Sequence, residues 1–286
     1  MKILLIRMFG VSLLSLFIST SHAELFIESW ASSHIDLPQA FEKESPSKVC
    51  GDILELNTSK KIRCSIVMFK DSVAVVIEDS TENNAKGAQS SEPQPQYCSS
   101  GLFKEFYPIY KDFPVRLLEN PDARTSLEAP LVALAQQRSS EFTALLFQDK
   151  CPLDRHAAAV LLKYSSSCRQ LFNEFLPLLT DKAFEVRNGV SQCVSKFMPL
   201  RDGPSRLKAV DAAFLQFKMG TAPDRDKSLF IVERAMSGRP EIAEYVKKNH
   251  LSTVAKAYEK TRLPNLSEVS RSILISINDL NSAKSR

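Results

Sequence analysis

Apolar residues recur at three- and four-residue intervals through most of the chain after Arg124, the spacing that places them on one face of an α-helix. Leu127, Leu131 and Leu134 define one such face, Phe142, Leu145 and Leu146 a second, and Leu171, Phe172, Phe175, Leu176 and Leu179 a third. Leu207, Val210, Phe214 and Phe217 continue the pattern. Pro240 fits the first turn of a helix carrying Ile242, Tyr245 and Val246, and Val269, Ile273, Ile277 and Leu280 complete the series. Breaks at Ser165–Ser167, Arg201–Pro204, Gly220–Pro223 and Gly238–Arg239 separate helices that are short enough, and closely enough joined, to form antiparallel hairpins.

A different period governs the chain before residue 80. From Lys48 to Asp79 the pattern reads as extended: Lys61, Arg63, Ser65 and Val67 alternate with Ile62, Cys64, Ile66 and Met68, and Ser72 to Ile77 is rich in β-branched residues. Two strands joined near Lys70-Asp71 are expected, and such a hairpin needs something to pack on. Residues 24–79 are therefore read as a small β-containing segment. Glu78 to Gln96 has no aromatic residue and four acidic side chains against one basic. It cannot bury enough apolar area to offset ordering, so a flexible linker over residues 80–97 is expected, with a helical domain over residues 98–286. Just beyond it, Phe103, Phe106, Tyr107, Tyr110 and Phe113 interleave with Lys104, Lys111 and Arg116. Phe103, Phe106, Tyr107 and Tyr110 form a candidate ligand surface of basic and aromatic character. The same spacing also fits a buried helix face, with Pro108 taken up by a kink.

Residues Met1 to Ala23 read as a secretory signal peptide. Lys2 and Arg7 precede the apolar run Met8 to Ile18, and Ser21 and Ala23 are small residues at the −3 and −1 positions of a cleavage site. The run is shorter than the roughly 20 residues a spanning helix needs. Glu24 follows Ala23, so the cysteine of a lipoprotein anchor is absent. The expectation is a periplasmic or extracellular protein of bacterial character, with no integral membrane span after leader cleavage. On a eukaryotic secretory route, Asn57 and Asn265 lie in N-x-S/T contexts.

Export changes the meaning of the six cysteines Cys50, Cys64, Cys98, Cys151, Cys168 and Cys193. An even number in an oxidising compartment favours disulfides, with connectivity left open. No C-x-x-C pair occurs and His34, His156 and His250 are scattered, so no metal site is assigned. Loss of the leader lowers the net charge from +4 to +2. Near-neutrality argues against a nucleic-acid partner. Residues 200–286 keep 16 basic side chains against 10 acidic ones, a mild cationic bias read first as a solvated face.

Catalytic patterns are weak. Ser45 and Lys48 have the S-x-x-K spacing by which lysine activates serine in penicillin-recognising enzymes, but K-T-G is absent and the match reads as chance. His156 sits among Ala157, Ala158 and Ala159, as a packed or capping group would. Asp224-Arg225-Asp226-Lys227 reads as a solvated turn. No catalytic or cofactor-binding residue and no cofactor is assigned.

The helical tandem carries a repeat. Glu185-Val186-Arg187 leads to Val190, Cys193 and Val194, and the same pattern returns at Ile231, Arg234 and Ala235 and at Ile273, Ser276 and Ile277, a period of about 41 residues. This register places Lys227-Ser228 and Val269-Ser270 opposite Val186-Arg187. A further copy starts near Arg155, with Ala158, Leu161 and Leu162 at the apolar positions. Residues Leu179 to Arg187 resemble the turn and second-helix start of a HEAT or armadillo-type repeat, with Asp181 in the turn, Val186 entering the core and Arg187 at the basic position. The resemblance covers about residues 124–282. It implies a mainly α fold, either a HEAT-like α-solenoid or an irregular helical bundle of stacked hairpins, beside the small β-containing segment. It also implies a surface for another protein or peptide. The expected function is thus exported protein–protein interaction or scaffolding. The alternative is a secreted enzyme or ligand-binding protein with a site between the N-terminal segment and the helical domain.

Overall fold

Six successive side chains of one strand, Val73 to Glu78, are buried, so that both faces of the strand are covered. This strand, β3 (Ser72–Asp79), is the centre of a three-stranded sheet, with β1 (Glu24–Ser29) parallel on one side and β2 (Ile62–Met68) antiparallel on the other. The protein is described here by a computed structural model, in which residues 24–31, 33–38, 41, 44–68, 72–79, 101–110, 123–149, 151–219 and 221–284 are described. The expected leader at Met1–Ala23, the linker over 80–97, Cys98 and Phe113 lie outside the described residues. The chain divides into two compact units, Met1–Gln96 and Tyr97–Arg286.

In the first unit, one face of the sheet packs Val75 and Ile77 against Val49 and Ile53 of helix α1 (Pro46–Leu56), with Ile35 completing the core. The hairpin β2–β3 matches its alternating sequence, but the extended reading that began at Lys48 does not hold. Ser45 accepts a hydrogen bond from the Lys48 backbone N–H at 3.3 Å, and Pro46 occupies the first helical position. The pair Ser45-Lys48 is thus the start of a helix. The Lys48 ammonium is held by Asp52 at 2.8 Å. A disulfide joins Cys50 of α1 to Cys64 of β2 across a Cα separation of 5.7 Å, tying the helix to the sheet it covers. Glu78 and Asp79 complete β3, within the expected β-containing segment: Glu78 is buried opposite Arg63 and pairs with its guanidinium at 2.8 Å. Asn57 is also buried, with its amide donating to the carbonyls of Asp36 and Ile53, so it is no accessible acceptor for a glycan.

The second unit is helical throughout its described residues: α2 (Leu102–Tyr110), α3 (Arg124–Gln137), α4 (Ser139–Gln148), α5 (Pro152–Leu162), α6 (Ser167–Gln170), α7 (Phe172–Phe175), α8 (Phe184–Phe197), α9 (Gly203–Lys218), α10 (Ala222–Met236), α11 (Pro240–Lys260) and α12 (Pro264–Lys284). The apolar run from Leu171 to Leu179 does not make one helix. Pro177 has no N–H to donate, and the chain passes from α7 into a 3₁₀ turn at Leu176–Thr180, still burying Phe172, Phe175, Leu176 and Leu179. Helices pair in chain order as α4 with α5, α9 with α10, and α11 with α12, while the α6–α7 segment and its 3₁₀ turn pack on α8. The second helix of each pair also packs on the second helix of the next, α5 on α8, α8 on α10 and α10 on α12.

Charged side chains lock these contacts. Arg187 of α8 is fully buried. Its Nε and Nη2 donate to the two carboxylate oxygens of Asp224 at 2.9 and 2.7 Å, and its Nη1 donates to the Asp181 carbonyl at 2.6 Å. Thr221 donates to the same carboxylate at 2.7 Å, and Gln216 of α9 donates to Ser191 at 2.8 Å, whose hydroxyl bonds the Arg187 carbonyl. One step earlier, Arg155 of α5 pairs with Asp181 at 2.5 Å. Asp224-Arg225 is therefore the buried start of α10 and not a solvated turn: a charge can be buried there because each carboxylate oxygen of Asp224 is met by a donor. Arg155, Arg187 and Arg225 each stand at the fourth residue of their helices, so Asp224-Arg225 takes the place that the sequence register gave to Lys227-Ser228.

Two further constraints hold α8. Cys193 is bridged to Cys168 of α6, with Cα atoms 5.9 Å apart. Gly189 allows α8 to approach α5 closely, since a Cβ on it would lie 2.7 Å from Ala159 Cβ and 3.3 Å from the His156 carbonyl. Gly189→Ala therefore forces the helices apart and is expected to cost about 1–3 kcal/mol in urea denaturation, as overpacked cores do. Arg187→Ala leaves the Asp224 carboxylate buried without its main partner, for an expected loss of about 3–5 kcal/mol. The double variant Arg187→Met/Asp224→Leu, which removes both charges, should lose clearly less in the same measurement.

Candidate functional site

On α10, Lys227, Phe230 and Arg234 are spaced by three and four residues and share one face of the helix. On α8, Gln192 and Lys196 are one turn apart, and Lys163 and Tyr164 directly follow α5. Because α5, α8 and α10 pack side by side, these residues meet, together with Arg124 and Glu128 of α3, in a cleft of about 490 Å³. The lining includes five basic side chains and one carboxylate.

The cations cluster tightly. The ammonium groups of Lys163 and Lys196 lie 4.6 and 5.7 Å from the centroid of the same Tyr164 ring. Lys163 donates to the Gln192 side-chain oxygen at 3.0 Å, and Lys196 donates to the Lys163 carbonyl at 2.8 Å, satisfying an acceptor at the end of α5. Arg234 lies over Phe230 at 4.7 Å and reaches the Ser195 carbonyl at 3.4 Å. Arg124 pairs with Glu128 at 3.5 Å. Among the described residues, no carboxylate lies within ion-pair distance of Lys163, Lys196, Lys227 or Arg234.

Their titration reflects this. Burial pushes the Lys163 ammonium down to about 8, and Lys196, Lys227 and Arg124 add to the shift while Glu128 opposes it. Burial also lowers Lys227, against the pull of Asp226 and Asp224. Asp226 is pushed up to about 6 by burial, with Lys227 opposing. Burial, followed by the neighbouring Glu128, raises the Tyr164 phenol. The cationic bias of the C-terminal part is thus not only a solvated face: Lys227 is half-buried, and it joins basic residues from α3, α5 and α8.

The four aromatic candidates of α2 divide between two stacks, Phe103 on Tyr107 at 5.3 Å and Phe106 on Tyr110 at 4.6 Å. Phe106 is buried and meets the His156 ring edge-on at 6.3 Å, whereas Tyr107 is 45% exposed. Tyr110 hydrogen-bonds Gln192, and it alone of the four bonds a residue of the cleft lining. His156 Nδ1 donates to the Glu185 carbonyl at 2.7 Å, a packing contact between α5 and α8. Cys50, Cys64, Cys168 and Cys193 are bridged as described, and Cys151 is also in a disulfide. Asp149, Cys151 and Asp154 approach one another within 4.8 Å, but Cys151 has no thiolate, and the carboxylates accept backbone N–H groups from Cys151 and Phe103 at 2.6 and 2.7 Å.

A second polar cluster joins α9 to α11. His250 stacks on Phe214 at 3.8 Å, and Asp211 accepts a hydrogen bond from the Tyr245 hydroxyl at 2.7 Å. It packs α9 on α11. The cleft itself was missed by the sequence reading, because its residues lie on four helices and only their stripes of spacing three and four are local.

The chain matches no protein-family model, no curated protein and no solved structure. No helix among the described residues is long and apolar enough to cross a membrane.

The low value for Lys163 has a definite sign. The unfolded chain holds this proton more tightly than the folded one between pH 8 and pH 10.5, so stability rises with pH across that window. Below pH 8 the folded protein carries the whole cost of the buried charge. Lys163→Met is expected to raise the thermal midpoint at pH 7 relative to the parent, with the difference shrinking towards pH 10, as read by paired melts across that range.

Proposed function

We propose that the protein is an exported interaction protein whose helical unit is a HEAT-like array of stacked hairpins, and that a protein partner docks where α5, α8 and α10 lie side by side. The cleft carries this reading. Its lining comes from the second helices of three successive pairs, the arrangement by which a hairpin stack presents one continuous surface. Phe230, 40% exposed beside Arg234, offers the kind of aromatic and arginine anchors that dominate protein interfaces. The leader-like segment at Met1–Ala23 and the two bridges Cys50–Cys64 and Cys168–Cys193 support the exported location.

A photo-crosslinking phenylalanine analogue at Phe230 tests the docking face, with the same analogue at Leu215 of α9, 54% exposed, as the control. Irradiation in cells that make the protein should give one discrete protein adduct from position 230 and none from position 215. No adduct from position 230, or equal adducts from both, would refute the proposed face.

A further inference from the structure

The cleft has too much positive charge to be explained by the fold around it. Four cations, Lys163, Lys196, Lys227 and Arg234, share one cavity without an ion-pair partner among the described residues, in a chain whose overall charge is only +4. Of the carboxylates that act on these cations, Asp224 is paired with Arg187 and Glu128 with Arg124, while Asp226 pulls on its sequence neighbour Lys227 without reaching ion-pair distance. Such a cluster strains the folded protein through mutual repulsion and desolvation, and an anionic ligand would relieve both.

From the placement of these charges we infer that the cleft receives an acidic peptide segment of the docking partner, a short extended run whose carboxylates meet these four cations. The inference rests on the docking reading above and specifies the partner's chemistry. The ammonium groups of Lys163 and Lys196 face one Tyr164 ring at 4.6 and 5.7 Å, and Lys227 stands near enough to Lys163 to act on its titration. A short acidic run can turn several carboxylates towards such a cluster, because side chains of an extended chain alternate to either side. A compact dianion such as phosphate brings only two charges to four cations. Phe230 and the Tyr164 ring supply apolar surface between the charges, on which the aliphatic stems of acidic side chains can lie. The charged groups that act on Lys163 are Glu128 and Arg124 from α3, Lys196 from α8 and Lys227 from α10, one anion against three cations.

The test uses the full exported chain and a fluorescein-labelled hexaglutamate probe in anisotropy titrations at pH 7, with hexaglutamine, inorganic phosphate, oligo-dT and vesicles containing an anionic phospholipid as comparators. Hexaglutamate is expected to bind at least tenfold more tightly than hexaglutamine, and to weaken at least tenfold between 50 and 250 mM salt. Lys196→Glu combined with Lys227→Gln should reduce binding at least tenfold, whereas Lys196→Arg combined with Lys227→Arg retains it, and matching thermal midpoints show that both variants fold. Equal binding of hexaglutamate and hexaglutamine would overturn the inference, as would full binding by the charge-removed variant or tighter binding of phosphate, oligo-dT or vesicles. The Phe230 crosslink separates this failure from that of the docking reading: an adduct that persists in the charge-removed variant leaves the docking face standing and removes its acidic specificity.

Discussion

The helical unit depends on one buried ion pair. Arg187 reaches from α8 to Asp224 at the start of α10 while also binding the Asp181 carbonyl ahead of its own helix, so a single guanidinium fixes the spacing of two neighbouring helices and of the turn between hairpins. A buried pair of this kind adds little net stability over an apolar pair of the same shape. Its effect is on geometry, because the bidentate fork accepts one arrangement of the carboxylate and rejects neighbouring registers. Gln216, Ser191 and Thr221 then satisfy the remaining donors and acceptors around it, which draws α9 into the same network. Gly189, two residues further along α8, sets the distance to α5.

That arrangement also determines where uncompensated charge is left. Asp224 at the start of α10 and Asp181 ahead of α8 meet Arg187 and Arg155, whereas Lys196, Lys227 and Arg234 further along α8 and α10 line the cleft without an ion-pair partner among the described residues. The same helices are therefore neutralised inside and cationic outside, although the chain as a whole is close to neutral. Net charge misses this, since it sums the two populations. Near-neutrality of the whole chain does not describe a cavity in which four cations lack an ion-pair partner among the described residues.

How much of this could be read from the chain depends on the range of each signal. The helices after Arg124 show because Val186, Val190 and Val194 or Ile273 and Ile277 repeat at a local period, and the hairpin shows because β2 alternates from Ile62 to Met68. Helix α1 was hidden although Ser45-Pro46 is a helix-start signal, since the β-branched residues that follow drew the whole segment into an extended reading. The run at Leu171–Leu179 has helical spacing, yet Pro177 breaks the backbone bonding that spacing presumes. Asp224-Arg225-Asp226-Lys227 looks like a solvated turn because its meaning lies in Arg187, 37 residues away in sequence from Asp224. Of the aromatic candidates, Tyr110 alone bonds the cleft lining, and it does so through Gln192, a link that exists only after α2 has packed on α5.

A cleft built this way works against the fold that holds it. Lys163 titrates low because burial and the like charges of Lys196, Lys227 and Arg124 outweigh the pull of Glu128, even though its ammonium bonds Gln192 and lies over the Tyr164 ring. Methionine would fill the same space without the electrostatic penalty. Folded proteins tolerate such local conflict mainly where a ligand resolves it, since a bound anion restores the charged form of the lysine and recovers free energy that folding alone loses. On the proposed reading an acidic segment meets Lys196 and Lys227 as well as Lys163, since the like charges of the first two act on the third. The Arg187–Asp224 pair, by fixing α8 against α10, holds this cluster together, so the proposed ligand would meet cations already assembled by the fold.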